Sequence, residues 1–207
     1  MNRNRLIEAL NLTGYNKREE TASLNCIKVF KTFLNPKDCD TLVTFFENNN
    51  KTDLINWNNK RKSLNICELV KKNKTNKEYK EIYKMIFTIF DAGLKLYLLS
   101  LRDKINIKHF EDEDYIITKH MKKRGVYNWN IDRGLMGTDT NKRYLTAILY
   151  LNDVDKGGEE EFKYHKLIVK PNKGVLLIAP SDRAFTHKSN VSISNCKYTC
   201  TTFFSLI

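Results

Sequence analysis

The stretch that decides the fold is RYLTAILYLND, at residues 143–153 of the 207-residue chain. It is rich in aromatic, aliphatic and β-branched residues and holds no proline or glycine, which is typical of a strand. From Tyr115 onward the hydrophobic period is two, and turn residues separate the apolar segments. The same pattern predicts strands at Asp114–Met121, Tyr127–Asp132, Tyr144–Asn152, Glu160–Tyr164, Lys166–Lys170, Val175–Ala179 and Lys197–Leu206. Such a series of short strands favours a barrel or a sandwich.

The first half of the chain predicts helices instead. One strand is expected at Cys26–Phe33, and a helix follows because Asn35 is a good N-cap and Pro36 suits the first helical position. A short helix is expected at Arg5–Leu12. A longer one is expected from Asn76 to Arg102, where apolar residues recur every three or four positions. Helices before strands indicate an α+β domain in which the helices cover one face of a sheet.

Composition and charge set further bounds. The hydrophobic content of 41% is that of an ordinary soluble domain, and no apolar run is long enough to cross a bilayer. The five cysteines are scattered, and the N-terminus has no apolar signal segment, so we expect an intracellular, cytoplasmic protein with reduced thiols. The net charge of +12 would attract nucleic acid or an acidic protein or ribosomal surface, but the lysines are dispersed and the excess is equally explained by composition.

One ordered set of polar residues carries recognisable chemistry: Asn130, Asp132, His187, Lys197 and Thr199. Residues two apart on a strand point to the same side, so the first two would share a face. A histidine from a distant strand could complete a three-ligand metal face with open positions for other ligands. Lys197 could neutralise a buried acid, and Thr199 would lie on the same strand face. The ordinary alternatives are a turn cap for Asp132, a loop histidine and a surface lysine.

Several segments resemble prolyl 4-hydroxylase-type 2-oxoglutarate/Fe(II)-dependent dioxygenases. They are Phe33–Cys39, Arg143–Asp153, Gly157-Gly158-Glu159 with Phe162, and Val169–Ile178. The resemblance spans roughly residues 26–207 and implies one oxygenase-like domain over 1–207. In it, residues 1–110 would be mainly helical support with an early strand, and residues 111–207 would form a double-stranded β-helix, the jelly-roll or cupin-like barrel.

The resemblance also implies roles for the polar set. Asp132 and His187 would be catalytic and would bind iron, with Asn130 at the third metal position. Lys197 and Thr199 would anchor 2-oxoglutarate, and ascorbate could assist as a reductant. The implied substrate is a side chain of a protein or peptide, most often proline, so a protein or peptide partner is expected and a membrane partner is not.

Asn130 departs from the family, because the resemblance implies histidine at the first metal position. An amide oxygen is a weaker ligand for ferrous iron than imidazole. The amide could ligate weakly, it could hold a water that ligates, or the site could have lost iron; His120 on the preceding strand is a candidate substitute. The usual co-substrate tyrosine is also missing from the region of His120 and Met121.

Three functions therefore remain open from the sequence. The first is an active dioxygenase, and the second is a catalytically impaired oxygenase fold that acts as a binding module because of Asn130. The third is a nucleic-acid-directed oxygenase, suggested by the basic charge. It ranks lower because Lys188 and Lys197 are the only basic residues from His187 to Lys197, where the alkylation-repair branch carries arginines.

Overall fold

The computed structural model describes residues 20–23, 26–49, 55–57, 60–101, 109–124 and 128–207. The helix predicted at Arg5–Leu12 lies outside these ranges. The helices are α1 (Pro36–Asn49), α2 (Ile66–Lys72) and α3 (Lys77–Ser100). The strands are β1 (Glu20–Ser23), β2 (Ile27–Phe30), β3 (Ile55–Trp57), β4 (Arg61–Asn65), β5 (Phe110–Asp112), β6 (Ile116–His120), β7 (Arg143–Tyr150), β8 (Glu160–Phe162), β9 (Leu167–Val169), β10 (Leu176–Pro180), β11 (His187–Ser189) and β12 (Lys197–Leu206).

Two antiparallel sheets form the β-rich part. The larger follows the order β1-β2-β10-β7-β12-β6-β4-β3, with β5 also paired to β12, and the smaller follows β11-β8-β9. Phe162 and Val169 of the small sheet join Tyr150 and Leu177 of the large sheet in one buried cluster, so the sheets pack face to face. The predicted α+β class and double-stranded β-helix are therefore confirmed, and the space between the sheets is where a site can form.

The two faces of strand β7 lie on opposite sides of the large sheet and have different surroundings. Leu145, Ala147 and Leu149 belong to the core beneath the helices. Thr146 and Ile148 alternate with them and line a cavity on the opposite side. The period of two predicted from RYLTAILYLND thus gives one strand a helix-facing apolar side and a cavity-facing side of mixed polarity.

The predicted helix caps are present. Asn35 Oδ1 accepts the backbone N–H of Asp38 at 2.9 Å before α1, and Asn76 Oδ1 accepts that of Tyr79 at 3.2 Å in α3. The apolar stripe of α3 packs on the sheet, and at Gly93 an added Cβ would lie 2.5 Å from Leu176 Cδ2. A larger residue at position 93 would require the Leu176 side chain to shift. The described helices include none that is both long and apolar enough to cross a membrane.

Two features differ from the sequence expectation. The strand predicted at Tyr127–Asp132 is wrong over its described part, residues 128–132, where only an isolated bridge from Asn130 to His187 forms. Unpredicted strand β4 pairs with β6 and runs into α2, whose first turn is capped by Asn65 Oδ1 accepting from Glu68 N at 3.1 Å. The first part of the chain therefore contributes β1, β3 and β4 in addition to the one early strand expected there.

Candidate metal and co-substrate site

A cavity of about 180 Å³ opens between the two sheets. Its walls are side chains from β4, β6, β7, β8, β11 and β12, together with Asn130 and Asp132 from the irregular segment before β7. All five residues singled out from the sequence line this one space: Asn130, Asp132, His187, Lys197 and Thr199. The structure therefore brings together residues that are up to 69 positions apart in sequence.

Asp132 is held by neighbours on both of its carboxylate oxygens. Thr146 on β7 donates its hydroxyl to Oδ2 at 2.7 Å, and Asn130 donates Nδ2 to Oδ1 at 3.0 Å. Arg143 donates to the backbone carbonyl of Asp132 at 3.3 Å. These contacts fix a carboxylate at the cavity although no regular strand carries it.

His187, the first residue of β11, lies beside that carboxylate. Its Nε2 is 3.4 Å from Asp132 Oδ2, and both side chains are about nine-tenths buried. Its Nδ1 is 3.1 Å from the carbonyl oxygen of Phe185, which can only accept a hydrogen bond. Nδ1 therefore carries a proton, which leaves Nε2, the ring nitrogen nearer Asp132, as the one that could bind a metal. A metal-bound histidine commonly donates its other N–H to a carbonyl in this way.

Asn130 reaches the same point through its backbone. Its N–H donates to the carbonyl of His187 at 2.8 Å, and the N–H of His187 donates back at 3.1 Å. This two-bond bridge places position 130 directly beside the histidine. The sequence predicted that one shared strand would bring Asn130 and Asp132 to the same side. In the structure, the bridge to His187 and the hydrogen bond from the Asn130 amide to the Asp132 carboxylate hold them there instead.

Lys197 begins β12 and is only 1% exposed. Its ammonium group donates to the carbonyl of Gly158 at 2.9 Å and to the hydroxyl of Ser189. Burial lowers the pKa of Lys197 below its usual value, and the carboxylates of Glu160 and Glu159 oppose that shift. An ammonium group has about three N–H donors, so one remains for a buried acid.

The carbonyl that receives Lys197 depends on a glycine turn. Gly157 and Gly158 have φ values of +76° and +78°, and a Cβ on Gly157 would lie 2.0 Å from the backbone oxygen of Val191. Only glycine tolerates both the left-handed backbone and this close approach. The Gly157-Gly158 pair seen in the sequence thus has a direct role in placing the buried lysine.

His120 pairs in register with Lys197 on the neighbouring strand β6. Its Nε2 is 3.2 Å from the Thr199 hydroxyl. Burial lowers the pKa of His120 well below its usual range, and the charges of Lys197 and Arg61 add to the effect, so the imidazole is neutral. The sequence left His120 open as a candidate substitute for the missing imidazole; its strand pairing and its contact place it beside Lys197 and Thr199.

Sequence reasoning missed Glu160. This residue of β8 is 4% exposed, lines the cavity, and has its Oε1 3.9 Å from His187 Nε2. The available signal was the alternation of Glu160 and Phe162 two positions after Gly158, which would turn the carboxylate inward with the apolar ring. Nearby, the buried hydroxyl of Tyr150 has no partner among the described residues, and the negative charge of Glu160 adds to burial in raising its pKa.

The donor set can be tested for its fit to a metal ion. Nitrogen and oxygen donors lie about 2.1 Å from a small divalent ion, so two donors of one ion are about 3.0 to 4.2 Å apart. The 3.4 Å between His187 Nε2 and Asp132 Oδ2 satisfies this range. As the side chains stand, no three histidine, cysteine or acidic residues in the described ranges are grouped to hold a metal. Two positions fit iron, and the third depends on another donor.

The barrel region of the chain matches a known protein family. Residues 116–205, which contain β6 to most of β12 and every residue of the polar set, match the 2OG-Fe(II) oxygenase superfamily. No curated protein matches the sequence. The match over residues 116–205 bears out the predicted resemblance to 2-oxoglutarate- and Fe(II)-dependent oxygenases.

Solved structures of prolyl hydroxylases share the fold. A viral collagen prolyl hydroxylase from Paramecium Bursaria Chlorella virus-1, in a 2OG complex, is 16% identical with a TM-score of 0.65, covering 87% of this chain and 96% of that one. A Pseudomonas putida prolyl-4-hydroxylase is 16% identical with a TM-score of 0.57, covering 98% and 97%. A prolyl hydroxylase from Trichoplax adhaerens, in complex with a hypoxia inducible factor peptide fragment, is 16% identical with a TM-score of 0.64, covering 99% and 94%.

Proposed function

We propose that this chain is a 2-oxoglutarate- and Fe(II)-dependent dioxygenase that hydroxylates a side chain of a protein or peptide, with proline as the favoured residue. One observation carries the proposal: the carboxylate of Asp132, the imidazole of His187 and the buried ammonium of Lys197 line a single cavity. Such a set provides metal donors and a cation for a dicarboxylate within one enclosed space.

In this proposal Asp132 and His187 hold the iron, and Asn130 lies at the third position. Iron, when bound, supplies oxygen activation coupled to the oxidative decarboxylation of 2-oxoglutarate. The overall reaction consumes the keto acid, O₂ and a C–H bond, and it yields succinate, CO₂ and an alcohol. Ascorbate would serve as the accessory reductant.

The protein side chains have separate tasks around this reaction. Lys197 binds the far carboxylate of 2-oxoglutarate, where low exposure strengthens the charge-assisted hydrogen bond. The Thr199 hydroxyl and the neutral His120 imidazole contribute further hydrogen bonds at that end. Thr146 orients the Asp132 carboxylate through the 2.7 Å hydrogen bond to Oδ2. His120, Thr146, Lys197 and Thr199 all lie on regular strands, which fix their backbone positions.

A peptide substrate suits the outer edge of the cavity. Trp129, next to Asn130, is 39% exposed, and the ammonium group of Lys188 lies 4.6 Å from its ring centre. Leu135 and Met136 in the following loop are 81% and 91% exposed. An aromatic and apolar rim can contact a bound peptide. The solved relatives named above are prolyl hydroxylases, and one of them carries a peptide, which supports proline within a peptide as the substrate.

The direct test is co-substrate turnover. The protein is incubated with Fe(II), ascorbate and 2-oxoglutarate, with and without proline-containing peptides, and succinate and peptide mass are measured. We expect succinate formation, with a gain of one oxygen in a peptide that is a substrate. Asp132→Asn should abolish both signals, because it removes an anionic donor. Absence of turnover together with absence of metal binding by the unaltered protein would refute the proposal.

A second function, a catalytically impaired barrel that binds a partner, is favoured by one observation. Asn130 is a weak donor, and the described side chains contain no ready group of three metal ligands. The variant Asn130→His separates the two functions. If the natural protein is impaired, the variant should gain iron affinity and succinate formation from an undetectable level. If the natural protein is active, the variant should change turnover by a factor of only a few.

A nucleic-acid substrate has no support from the solved structures named above. The basic charge of the chain still permits a simple check, which is the salt dependence of binding to a mixed-sequence oligonucleotide. Specific phosphate contacts would weaken steeply with salt.

A further inference from the structure

Arg61 is a charged residue of the cavity wall to which the proposed chemistry gives no role. It begins β4 and is half-buried. Among the described residues, three lysine or arginine side chains line the cavity: Arg61, Lys188 and Lys197. Lys188 forms an ion pair with Glu161 at 3.0 Å on the small sheet. Arg61 and Lys197 are therefore the two cations on the large-sheet side of the cavity.

The register of three strands puts these two cations in one row. Arg61 of β4 pairs with His120 of β6, and His120 pairs with Lys197 of β12. Side chains that are paired across neighbouring strands lie on the same face of a sheet, and all three residues line the cavity. Neighbouring strands are about 4.8 Å apart, so the backbones of Arg61 and Lys197 are about 10 Å apart. Burial, followed by the charges of Lys197 and Arg61, lowers the pKa of His120, so both cations act on the imidazole between them.

Lys197 alone offers little to a ligand carboxylate. Of its about three N–H groups, two are donated to the carbonyl of Gly158 and the hydroxyl of Ser189. The negative charge of Glu160 raises the pKa of Lys197 against the larger lowering effect of burial, so an opposite charge already acts on the ammonium group. A carboxylate has two oxygens with about four acceptor sites. One remaining N–H group therefore leaves most of these sites to other residues at this end of the cavity.

We propose that Arg61 makes a second cationic contact to the far carboxylate of 2-oxoglutarate, together with Lys197, and thereby makes the site specific for keto acids that end in a carboxylate. The inference rests on the proposed function and names a residue that determines its co-substrate specificity. A guanidinium group carries five N–H donors in a planar fork that matches a carboxylate, and it stays charged. It can donate two N–H groups to a ligand while the others keep contacts with the protein.

The same arginine could instead act at a distance, by helping to keep His120 neutral. The two roles differ in which ligand and which pH are affected when the charge is removed. A direct contact serves only a ligand with a far carboxylate, and it is lost at every pH. An action through His120 would be lost only at acidic pH, where the imidazole gains a proton once Arg61 no longer opposes it.

The test is calorimetric titration of the Mn²⁺-loaded protein with 2-oxoglutarate and with 2-oxopentanoate, which has a methyl group in place of the far carboxylate. The proteins are the unaltered chain, Arg61→Met, Arg61→Lys and the matched control Lys62→Met. Lys62 is the next residue on β4 and lies on the opposite face, where its paired residue Lys119 forms an ion pair with Glu47 of α1. Titrations at pH 6 and pH 8 separate the two roles, and thermal melting verifies that each variant is folded.

We expect Arg61→Met to weaken 2-oxoglutarate binding about tenfold at both pH values, the low end for a charge-assisted contact because Arg61 is half-buried. Arg61→Lys keeps the charge without the fork and should lose less, and Lys62→Met should bind as the unaltered protein does. The affinity for 2-oxopentanoate should not fall in Arg61→Met.

Three results would overturn the inference and leave the proposed function intact. They are unchanged 2-oxoglutarate affinity in Arg61→Met, a loss confined to pH 6, and an equal loss in Lys62→Met or for 2-oxopentanoate. Absence of 2-oxoglutarate binding by the unaltered, Mn²⁺-loaded chain would refute the proposed function itself, and the inference with it.

Discussion

The two ends of the cavity are built in different ways. At the anchor end, comprising His120, Lys197 and Thr199, every residue lies on a regular strand, and β12 pairs in register with β6 and β7. At the metal end, comprising Asn130, Asp132 and His187, one three-residue strand meets an irregular segment through a single bridge. Lys197 and Thr199 are 1% and 3% exposed, whereas Asn130 is exposed.

This contrast separates two kinds of structural support. The anchor end is set by the register of a ten-residue central strand, whereas the metal end depends on local contacts. Both ends depart from the resemblance: Asn130 lies beside His187, and the usual co-substrate tyrosine is missing from the region of His120 and Met121.

The largest effect is expected at the anchor end from Lys197→Met, which keeps the length of the side chain and removes its charge. A charge-assisted hydrogen bond contributes about 1.5 to 3 kcal/mol, so 2-oxoglutarate affinity should fall roughly 10- to 150-fold. Calorimetric titration in the presence of Mn²⁺ measures it. Metal affinity without the keto acid should be unchanged, and a parallel loss of both would contradict the division into two ends.

The pH dependence of the same residue gives a second measurement for this prediction. Because burial lowers the pKa of Lys197, the ammonium loses its proton at a lower pH than an exposed lysine, whose pKa is 10.5. The affinity for 2-oxoglutarate should be highest at pH values below this lowered pKa, and it should fall as the pH rises through it. Between the lowered pKa of Lys197 in the folded protein and its ordinary pKa in the unfolded chain, the unfolded chain binds more protons. The free energy of unfolding should therefore rise with pH over that range. Lys197→Arg stays charged, and its affinity should show no such fall.

Particular residues show how much the sequence could predict. The period of three or four in α3 and the cap residues Asn35 and Asn76 depend on local chemistry, and they gave correct helices. The polar set was found in the correct order, and the structure places all of it in one cavity. Both predictions depend on patterns that can be read from the sequence alone.

What the sequence could not predict depends on tertiary pairing. Strand β4 forms because it pairs with β6, and the sequence of residues 61–65 does not itself indicate that pairing. The segment predicted as a strand at Tyr127–Asp132 has the right composition but no continuous partner over 128–132. Glu160 looked like one of three successive acids, and only its register against Ser189 shows that it turns inward.

The next effect in size is expected at the metal end from Thr146→Val, which is nearly isosteric. The Thr146 hydroxyl donates to Asp132 Oδ2 at 2.7 Å and contacts the Ser181 hydroxyl at 2.9 Å. Removing a group that orients a ligand costs about 10- to 100-fold in metal affinity at established sites, and we expect about tenfold in Mn²⁺ affinity here. Thr146→Ser, which keeps the hydroxyl, should retain affinity. If Thr146→Val and Thr146→Ser bind Mn²⁺ equally, the Asp132 carboxylate is not held by this contact.

The smallest effect is expected from Thr199→Val at the anchor end. Its hydroxyl contacts His120 Nε2 at 3.2 Å. In the proposed function it would also make one neutral hydrogen bond to the co-substrate. A net value of about 0.5 to 1.5 kcal/mol corresponds to a loss of roughly 2- to 12-fold in 2-oxoglutarate affinity. Thr201→Val is the matched control, because Thr201 lies on the same strand and lines the same cavity but donates to the backbone carbonyl of Ile116 at 3.4 Å. Equal losses of 2-oxoglutarate affinity in the two variants would mean that the affinity depends on the general polarity of the cavity. A loss confined to Thr199→Val would assign the contact to the Thr199 hydroxyl.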